Sequence, residues 1–179
     1  TTTRSALDIA QEQEALGASL NAGAGVDRSV VSLTALTANL APSLDLMADV
    51  VRNPAFAPDA VARVRQQREA SIAQQLASPA GLAQRAFLPL VYGENHPYAY
   101  ASTSGDAVAV AGLQASDLAA EHAEWMRPDL ASITVVGDIA MNDLVAALEA
   151  SFGDWQAPAT AAPTKTIDVP TPAPAMRLV

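Results

Sequence analysis

The amino-acid sequence predicts an α+β fold in which helices pack closely on a sheet. Two patterns indicate this class: apolar residues recur at helical spacing along much of the chain, and an alternating strand pair lies between Ala18 and Ala38. Of the 179 residues, 50% are hydrophobic but only 4% are aromatic, and alanine supplies much of the apolar total. Small side chains let helices lie close to a sheet, so the composition favours the same class.

Composition and charge narrow the functions that this chain can have. The net charge of −9 and the isoelectric point near 4.4 argue against nucleic-acid binding, which needs clustered lysine and arginine. The chain has no cysteine, which excludes disulfides and thiolate chemistry and is compatible with the periplasm or the cytosol. No stretch reaches the roughly 18 to 20 apolar residues of a membrane-spanning helix.

The first elements are predicted as a helix followed by a hairpin. Ser5 can accept hydrogen bonds from the free N–H groups of the first helical turn, and Asp8 can reach back in a near capping box. Gly17 ends the helix, because glycine takes positive φ at no cost. The alternating arms Ala18–Val26 and Ser29–Ala38 then predict two antiparallel strands.

Apolar spacing and proline positions predict the remaining helices. Asn53-Pro54 separates two of them, since the residue before a proline is pushed out of helical geometry. Pro89 predicts a kink or an early end, and Ser116 is the expected cap of a later helix. The predicted helices cover Pro42–Arg52, Pro58–Leu76, Pro79–Val91, Asp117–Met126 and Met141–Phe152.

The second half also contains a strand signal and a linker signal. The run Ala131–Val136 is rich in β-branched residues and continuously apolar, which predicts a strand buried on both faces. Gly137-Asp138 follows it as a tight turn, because the glycine pattern of a phosphate-binding loop is absent. Gln156–Pro174 is rich in proline, alanine and threonine and predicts an extended linker. Arg177–Val179 is expected to begin a further strand.

Several short motifs occur in an order that is typical of one family. The motifs are Thr1-Thr2-Thr3-Arg4-Ser5, Leu16-Gly17-Ala18, Asn21-Ala22, Asp27, His96-Pro97-Tyr98, Trp125-Met126-Arg127-Pro128, Val135-Val136-Gly137-Asp138 and Phe152-Gly153-Asp154-Trp155. Together they resemble a module of the insulinase-like (M16, pitrilysin-type) zinc metallopeptidases, and they extend over nearly the whole chain. The resemblance implies a two-layer peptidase module at residues 1–155, with helices on one face of a mostly antiparallel sheet, followed by a linker to a further module at 156–179.

The resemblance also implies a zinc site that this sequence does not reproduce. Family members bind zinc through a His-x-x-Glu-His helix, which does not occur here, and through a later glutamate. Aligning the motifs puts Ser71 where that glutamate is expected, and Glu69 takes the place only if the alignment has a gap of one or two residues. The implied module therefore has no catalytic residues, metal ligands or cofactor of its own, and zinc belongs to the catalytic module of the parent enzyme.

The two histidines are too few for an ordinary zinc site unless carboxylates supply the other ligands. We interpret His122 as a solvated helix residue, because its acidic neighbours Glu121 and Glu124 point in other directions. His96 lies in a loop before Pro97, and we interpret it as a residue that fixes this loop by donating to backbone carbonyl groups.

The resemblance points to substrate contacts at Asn21, Ala22 and Gly23. In the family the corresponding strand is a sheet edge that accepts a peptide by adding a strand. Gly23 and Gly25 would let another backbone approach closely. The alternative interpretation is that these small residues form a hairpin arm that packs under a helix.

The function that the resemblance implies is that of a non-catalytic module, which gives chamber wall, peptide-substrate contacts and packing to a catalytic module. That module belongs to the same chain or to a partner chain. One alternative is a stand-alone protein-binding or scaffold domain. Another is an active zinc peptidase module whose His-x-x-Glu-His helix lies upstream of Thr1.

We also expect this chain to be a piece of a longer protein, located in the periplasm or cell envelope, with the cytoplasm as the alternative. A chain that starts at Thr1 is expected to leave the edge of Ala18–Ala38 uncovered. Unpaired edges recruit other chains, so homodimerisation through that edge or a neighbouring helix face is a further expectation.

Overall fold

The computed structural model describes residues 1–94, 96–101, 103, 105–164 and 167, and most of its regular structure is helical. The chain forms two compact units, the first from Thr1–Ala24, Arg28–Phe56 and Ala119–Pro163, the second mainly from Ala57–Leu118. In chain order the elements are α1 (Ala6–Leu16), β1 (Ser19–Ala24), β2 (Ser29–Thr34), α2 (Leu40–Arg52), α3 (Pro58–Leu76), α4 (Pro79–Tyr92), α5 (Ala107–Gly112), α6 (Ala115–Trp125) and α7 (Met141–Phe152).

The sheet of the described residues is smaller than predicted. It consists of β1 and β2, which pair antiparallel with Ser19 opposite Thr34 and Ala24 opposite Ser29. The hairpin prediction is confirmed, with each arm shorter than expected. The α+β class holds, but the description of a mostly antiparallel sheet was overstated, because helices account for most of the elements.

The predicted strand at Ala131–Val136 is not formed in the structure. These residues have no strand assignment and all of them are exposed, so the prediction of a doubly buried strand was wrong. Among the described residues, no backbone–backbone hydrogen bond joins residues 132–136 to another segment. The physical reason is that β-branched side chains favour extended backbone, whereas a strand also needs a neighbour with which to pair.

Both ends of α1 are fixed by the capping residues that the sequence predicts. The Ser5 hydroxyl accepts from the Asp8 N–H at 3.2 Å, and the Asp8 carboxylate accepts from the Ser5 N–H at 2.8 Å. Gly17 ends the helix at φ 60°, in the left-handed region that favours glycine. The side-chain amide of Asn39 donates to the Leu16 carbonyl at 2.8 Å, which satisfies one of the last carbonyl groups of the helix.

Helix α2 provides the core of the first unit. It packs against α7, β2 and α1, so its inward face is covered along most of its length. Leu46 is completely buried at the centre of this face. The other buried apolar residues of the helix are Leu44, Ala48 and Val51.

Asp49 is the polar centre of the same unit and is only 7% exposed. Its carboxylate accepts from the hydroxyls of Thr1 and Thr3 at 2.7 and 2.9 Å, from the Arg4 guanidinium at 2.9 Å and from the Asn53 amide at 2.9 Å. Burial by itself would raise the pKa of Asp49, but these hydrogen bonds favour the charged form and hold the pKa well below its usual range. The cluster therefore binds the first residues of the chain to α2.

Proline marks the beginning of the second unit. Helix α2 ends at Arg52 and α3 begins at Pro58, which confirms that Asn53-Pro54 separates two helices. Helix α3 packs against α4 and α5, with Ile72 buried on its inner face. The second unit also buries Ala99 and Val110.

The structure corrects details of two helix predictions. Of the two outcomes predicted for Pro89, the early end is wrong, because α4 continues to Tyr92 and the Pro89 carbonyl still accepts from the Gly93 N–H at 2.9 Å. The kink stays a prediction. Ser116 does not cap α6, since the helix already begins at Ala115. Instead the Asp117 carboxylate accepts from the Gln114 N–H at 2.8 Å, as a third helical residue does in a capping box.

The beginning of the predicted linker is irregular but held in place. Residues 156–164 and 167 have neither helix nor strand, as the composition predicts. Arg127, which is 4% exposed, donates to the carbonyl groups of Thr160 at 2.9 Å and Ala161 at 3.3 Å, and pairs with Asp129 at 2.7 Å. The remaining linker positions and the strand expected at Arg177–Val179 lie outside the described residues.

We predict that Asp49→Asn lowers the free energy of unfolding by about 2 to 4 kcal/mol at neutral pH, because the side chain loses its charge and one acceptor oxygen while the surrounding donors remain. The folded-state pKa is depressed, so the stabilisation is complete above the unfolded carboxyl pKa of about 3.9 and is lost as the pH falls toward the folded-state value. Urea unfolding of both proteins between neutral pH and pH ~3 measures this. A stability difference that stays constant or grows toward acid pH would contradict it.

We predict that Gly81→Ala destabilises the second unit by about 1 to 3 kcal/mol. An added Cβ at buried Gly81 would meet the backbone carbonyl of Gln75, whose carbon lies at 2.8 Å. Gly112→Ala is the matched control, because no heavy atom lies within 4 Å of its Cβ position and alanine favours the helix. Thermal unfolding should therefore give a lower melting temperature for Gly81→Ala than for Gly112→Ala. Equal melting temperatures would contradict a collision between the added Cβ and the Gln75 backbone.

Candidate functional site

The substrate residues predicted from the sequence lie together on the hairpin. Asn21, Ala22 and Gly23 are consecutive in β1 and all three are exposed. They stand opposite Ser32, Val31 and Val30 of β2. In the described part of the chain β1 pairs only with β2, so its other edge is open.

The hydrogen bond of Leu20 shows which backbone groups face that open edge. Its N–H donates to the side-chain carbonyl of Gln13 at 2.8 Å, which places it on the side away from β2. Backbone groups of alternate residues point to the same side of an antiparallel strand. Ala22 therefore presents its N–H and C=O to the open edge, whereas Asn21 and Gly23 direct theirs toward β2.

The side chains along the edge leave room for a second backbone. A Cβ at Gly23 would have no heavy atom within 4 Å, so the space beside this residue is open. The Asn21 amide donates to the nearby Ser19 hydroxyl at 3.1 Å. Because all three predicted residues are exposed, they do not pack under a helix in this structure.

The side chains at the position expected for the zinc glutamate do not fit a zinc ion. The Ser71 hydroxyl is exposed and donates to the Gln67 carbonyl of its own helix at 3.0 Å. Glu69 lies 4.0 Å from Arg65 along the same helix. Zinc needs three protein ligands, and no group of three or more His, Cys, Asp or Glu in the described ranges is arranged to hold a metal.

His96 fixes its loop by accepting a hydrogen bond, whereas the sequence predicted that it donates one. It is buried, and its Nδ1 accepts from the Tyr98 N–H at 3.0 Å instead of donating to a carbonyl group. Its ring stacks on Tyr92 with centroids 5.0 Å apart. The Tyr98 hydroxyl in turn donates to Asp27 at 2.7 Å, and this bond raises the pKa of Tyr98.

His122 is also structural, and its description as a solvated residue was wrong. It is half-buried, and its Nε2 lies 2.8 Å from the carbonyl oxygen of Val51, in the last turn of α2. Phe56 meets the imidazole edge-on, with ring centroids 5.7 Å apart. The histidine thus satisfies a helix-terminal carbonyl, which needs a partner from outside the helix.

The structure also shows a polar depression in the first unit that the sequence did not indicate. Its volume is about 370 Å³. Arg52 pairs with Asp154 at 2.7 Å and donates to the Ser151 carbonyl at 3.1 Å, while the Ser151 hydroxyl contacts Asp45 at 3.1 Å. Asp154 follows Arg52 by 102 positions, so no local motif could have revealed this pair. The lining residues are Arg4, Asp45, Ala48, Asp49, Arg52, Asn53, Ala150, Ser151 and Asp154.

Two protein-family models match the sequence of this chain. The model for the insulinase family, Peptidase family M16, matches residues 1–95, which is more than half of the chain. A second model, described as the Peptidase M16 inactive domain, matches residues 112–177. The chain therefore belongs to the M16 insulinase family, and the resemblance seen in the motifs is confirmed.

Curated relatives include uncharacterized zinc proteases of Mycobacterium tuberculosis and Mycobacterium leprae. They are 31% and 29% identical to this chain over 153 residues, a region that is 86% of the chain. The same region is 34% of each relative, so the chain spans about a third of their length.

Solved structures show the same fold. The crystal structure of a peptidase M16 inactive domain from Pseudomonas fluorescens has a TM-score of 0.79 and 32% identity, over 96% of this chain and 40% of that one. A protease from Helicobacter pylori has a TM-score of 0.81 over 95% of this chain and 41% of its own. Its identity is 21%, so this second likeness concerns the fold alone.

In the described part of the chain, none of the helices has both the length and the apolar character of a membrane span.

We predict that the purified chain retains no stoichiometric zinc and cleaves no peptide, because Ser71 and the arginine-paired Glu69 do not make a ligand set. Metal analysis after incubation with zinc and dialysis, with a peptidase assay beside it, measures both properties. Glu69→Gln is the control variant. Zinc that binds to the unmodified chain but not to this variant would show that Glu69 is a ligand and that the alignment has a gap.

Proposed function

We propose that this chain is a non-catalytic module of an M16 zinc peptidase and that it binds extended peptide along β1. Family membership and the inactive-domain fold support the module, and the open edge at Ala22 supports the peptide contact. Residues 1–155 form the module in this proposal, and 156–179 lead to a following one. Zinc and the hydrolytic chemistry belong to a catalytic module in the same chain or in a partner chain.

The edge has the properties that a peptidase with many substrates needs. A backbone N–H and C=O pair recognises any extended peptide, because every residue except proline offers the matching groups. Exposed small residues beside Ala22 allow a second backbone to come close without collisions between side chains. Such a surface holds a peptide in extended form and leaves the cleavage to the catalytic module. The same module also contributes chamber wall and packing in this proposal.

The full-length sequence tests whether this chain is a non-catalytic module of a zinc peptidase. A separate module with His-x-x-Glu-His elsewhere in the protein supports a non-catalytic role for these 179 residues. The same motif directly upstream of Thr1 would instead make this an active module. Absence of the motif throughout would favour the stand-alone binding or scaffold domain.

We predict that Ala22→Pro weakens peptide binding about five- to tenfold, since it removes one N–H donor worth about 1 kcal/mol. Fluorescence anisotropy with a short fluorescein-labelled peptide rich in threonine and valine measures the affinity. Gln13→Ala is the matched variant, because it frees the Leu20 N–H and adds a donor to the same edge. We expect it to bind as well as the unmodified chain or more tightly.

Circular dichroism shows whether both variants remain folded. Equal affinities for the unmodified chain and a folded Ala22→Pro variant would contradict peptide pairing at this edge. Tighter binding by the proline variant than by Gln13→Ala would contradict the assignment of the outward-facing groups.

A further inference from the structure

We propose that the side chain of Gln13 ends the peptide-binding edge of β1 at Leu20 and so limits the length of peptide that pairs with it. The inference rests on the proposed function, since both concern the outer edge of β1, and it names the residue that sets the extent of pairing. Its support is the hydrogen bond between Gln13 and Leu20, the anchored position of α1 and the outward groups that follow Leu20.

The Gln13 side chain lies where the backbone of a paired strand would lie. Its Oε1 accepts from the Leu20 N–H at 2.8 Å, which is the distance of an ordinary N–H···O bond between strands. Both residues are half-buried. While Oε1 is there, a peptide carbonyl cannot take the same position, because two acceptor oxygens would compete for one donor. Strand pairing along β1 therefore stops before Leu20.

Gln13 is held in place through its backbone as well as its side chain. Its carbonyl oxygen accepts from the Ala18 N–H at 2.9 Å, so both of its oxygens bind the segment that leads into β1. Gly17 ends the helix between them at φ 60°, and the Ser5 capping box fixes the opposite end of α1. A side chain on an anchored helix has little further freedom to lose when it makes a hydrogen bond. The bond to Leu20 is thus a built feature of the connection.

The outward groups available to a peptide begin at the next alternate residue. Ala22 and Ala24 follow Leu20 in β1 with the same parity, so their N–H and C=O groups point to the same side as those of Leu20. Both alanines are exposed. Within the described ranges, no backbone–backbone hydrogen bond joins either of them to a segment outside the hairpin. A peptide that pairs with both uses a stretch of about three residues.

This limit defines the class of peptide that the edge favours. Each further backbone pair would strengthen the binding of a long strand, and Gln13 removes the pair at Leu20. Peptides therefore bind through a short extended stretch, and the affinity does not rise when the chain is lengthened past Ala22. Such an edge takes locally extended segments of unstructured chains in preference to a long continuous strand.

Two substitutions separate the acceptor oxygen from the rest of the side chain. Gln13→Ala removes Oε1 and frees the Leu20 N–H, and alanine is a good helix residue. Gln13→Glu keeps an oxygen at the same distance along the side chain, so it should preserve the block. Rescue by glutamate distinguishes an acceptor from a residue that only packs.

Two fluorescein-labelled peptides rich in threonine and valine serve as probes, one of about four residues and one of about eight, which is long enough to pass Leu20. Fluorescence anisotropy measures both affinities for each protein. We expect the ratio of the two affinities to be the same for the unmodified chain and Gln13→Glu. For Gln13→Ala the ratio should favour the longer peptide by about a further fivefold, the effect of one added hydrogen bond.

Amide hydrogen exchange measured by NMR gives the same test for single residues. Without peptide, the Leu20 amide should exchange slowly in the unmodified chain and in Gln13→Glu, and at least about tenfold faster in Gln13→Ala, because its acceptor is gone. With the longer peptide, Ala22 and Ala24 should gain protection in all three proteins. Leu20 should gain protection only in Gln13→Ala.

An equal length dependence in all three proteins would overturn the block at Gln13 and leave the peptide contact intact. Leu20 protection that rises in the unmodified chain when peptide binds would show that the peptide displaces Gln13, and would also overturn it. Failure of the proposed function looks different, because neither peptide would then protect Ala22 in any of the proteins, and this inference would fall with it. If Gln13→Ala does not fold, Gln13→Leu replaces it as a side chain of similar size without an acceptor.

Discussion

The carboxylate of Asp49 is the interaction on which the geometry of the first unit depends. It lies on α2 and accepts from two threonines and an arginine that precede α1. Arg4 also pairs with Glu12 at 3.0 Å, so the same guanidinium joins α2 to α1. Helix α1 then carries Gln13, whose side chain occupies the Leu20 N–H. A series of contacts thus leads from the buried charge through Arg4 and α1 to the side chain that occupies the Leu20 N–H of β1.

The contacts that run from Asp49 to Leu20 support the proposed peptide binding without any reactive side chain. A peptide-binding edge needs an exposed backbone of fixed position, and the anchored α1 provides the fixed position. The usual chemistry of the family needs a zinc ion, and the side chains at Ser71 and Glu69 are engaged within α3 instead. In the proposed function this module holds an extended chain, and bond cleavage belongs to another module.

The two histidines show how residues that resemble metal ligands serve the fold. His96 accepts from a backbone N–H at the start of a helical turn, and His122 contacts a backbone carbonyl at the end of α2. Backbone groups at helix termini have no partner within the helix, so a side chain that reaches them stabilises the end. Each imidazole also packs against an aromatic ring, which further limits its movement.

The sequence by itself determined the features that depend on neighbouring residues. The capping box at Ser5, the glycine end of α1 and the proline boundaries of α3 all follow from contacts within a few positions, and the hairpin follows from its alternation. Only the tertiary structure decided that Asp49 binds Thr1, Thr3 and Arg4, which precede it by 45 to 48 positions, and that Arg52 pairs with Asp154. It also decided that Ala131–Val136 is not a strand in this chain, because extended propensity is local whereas pairing requires a second strand beside it.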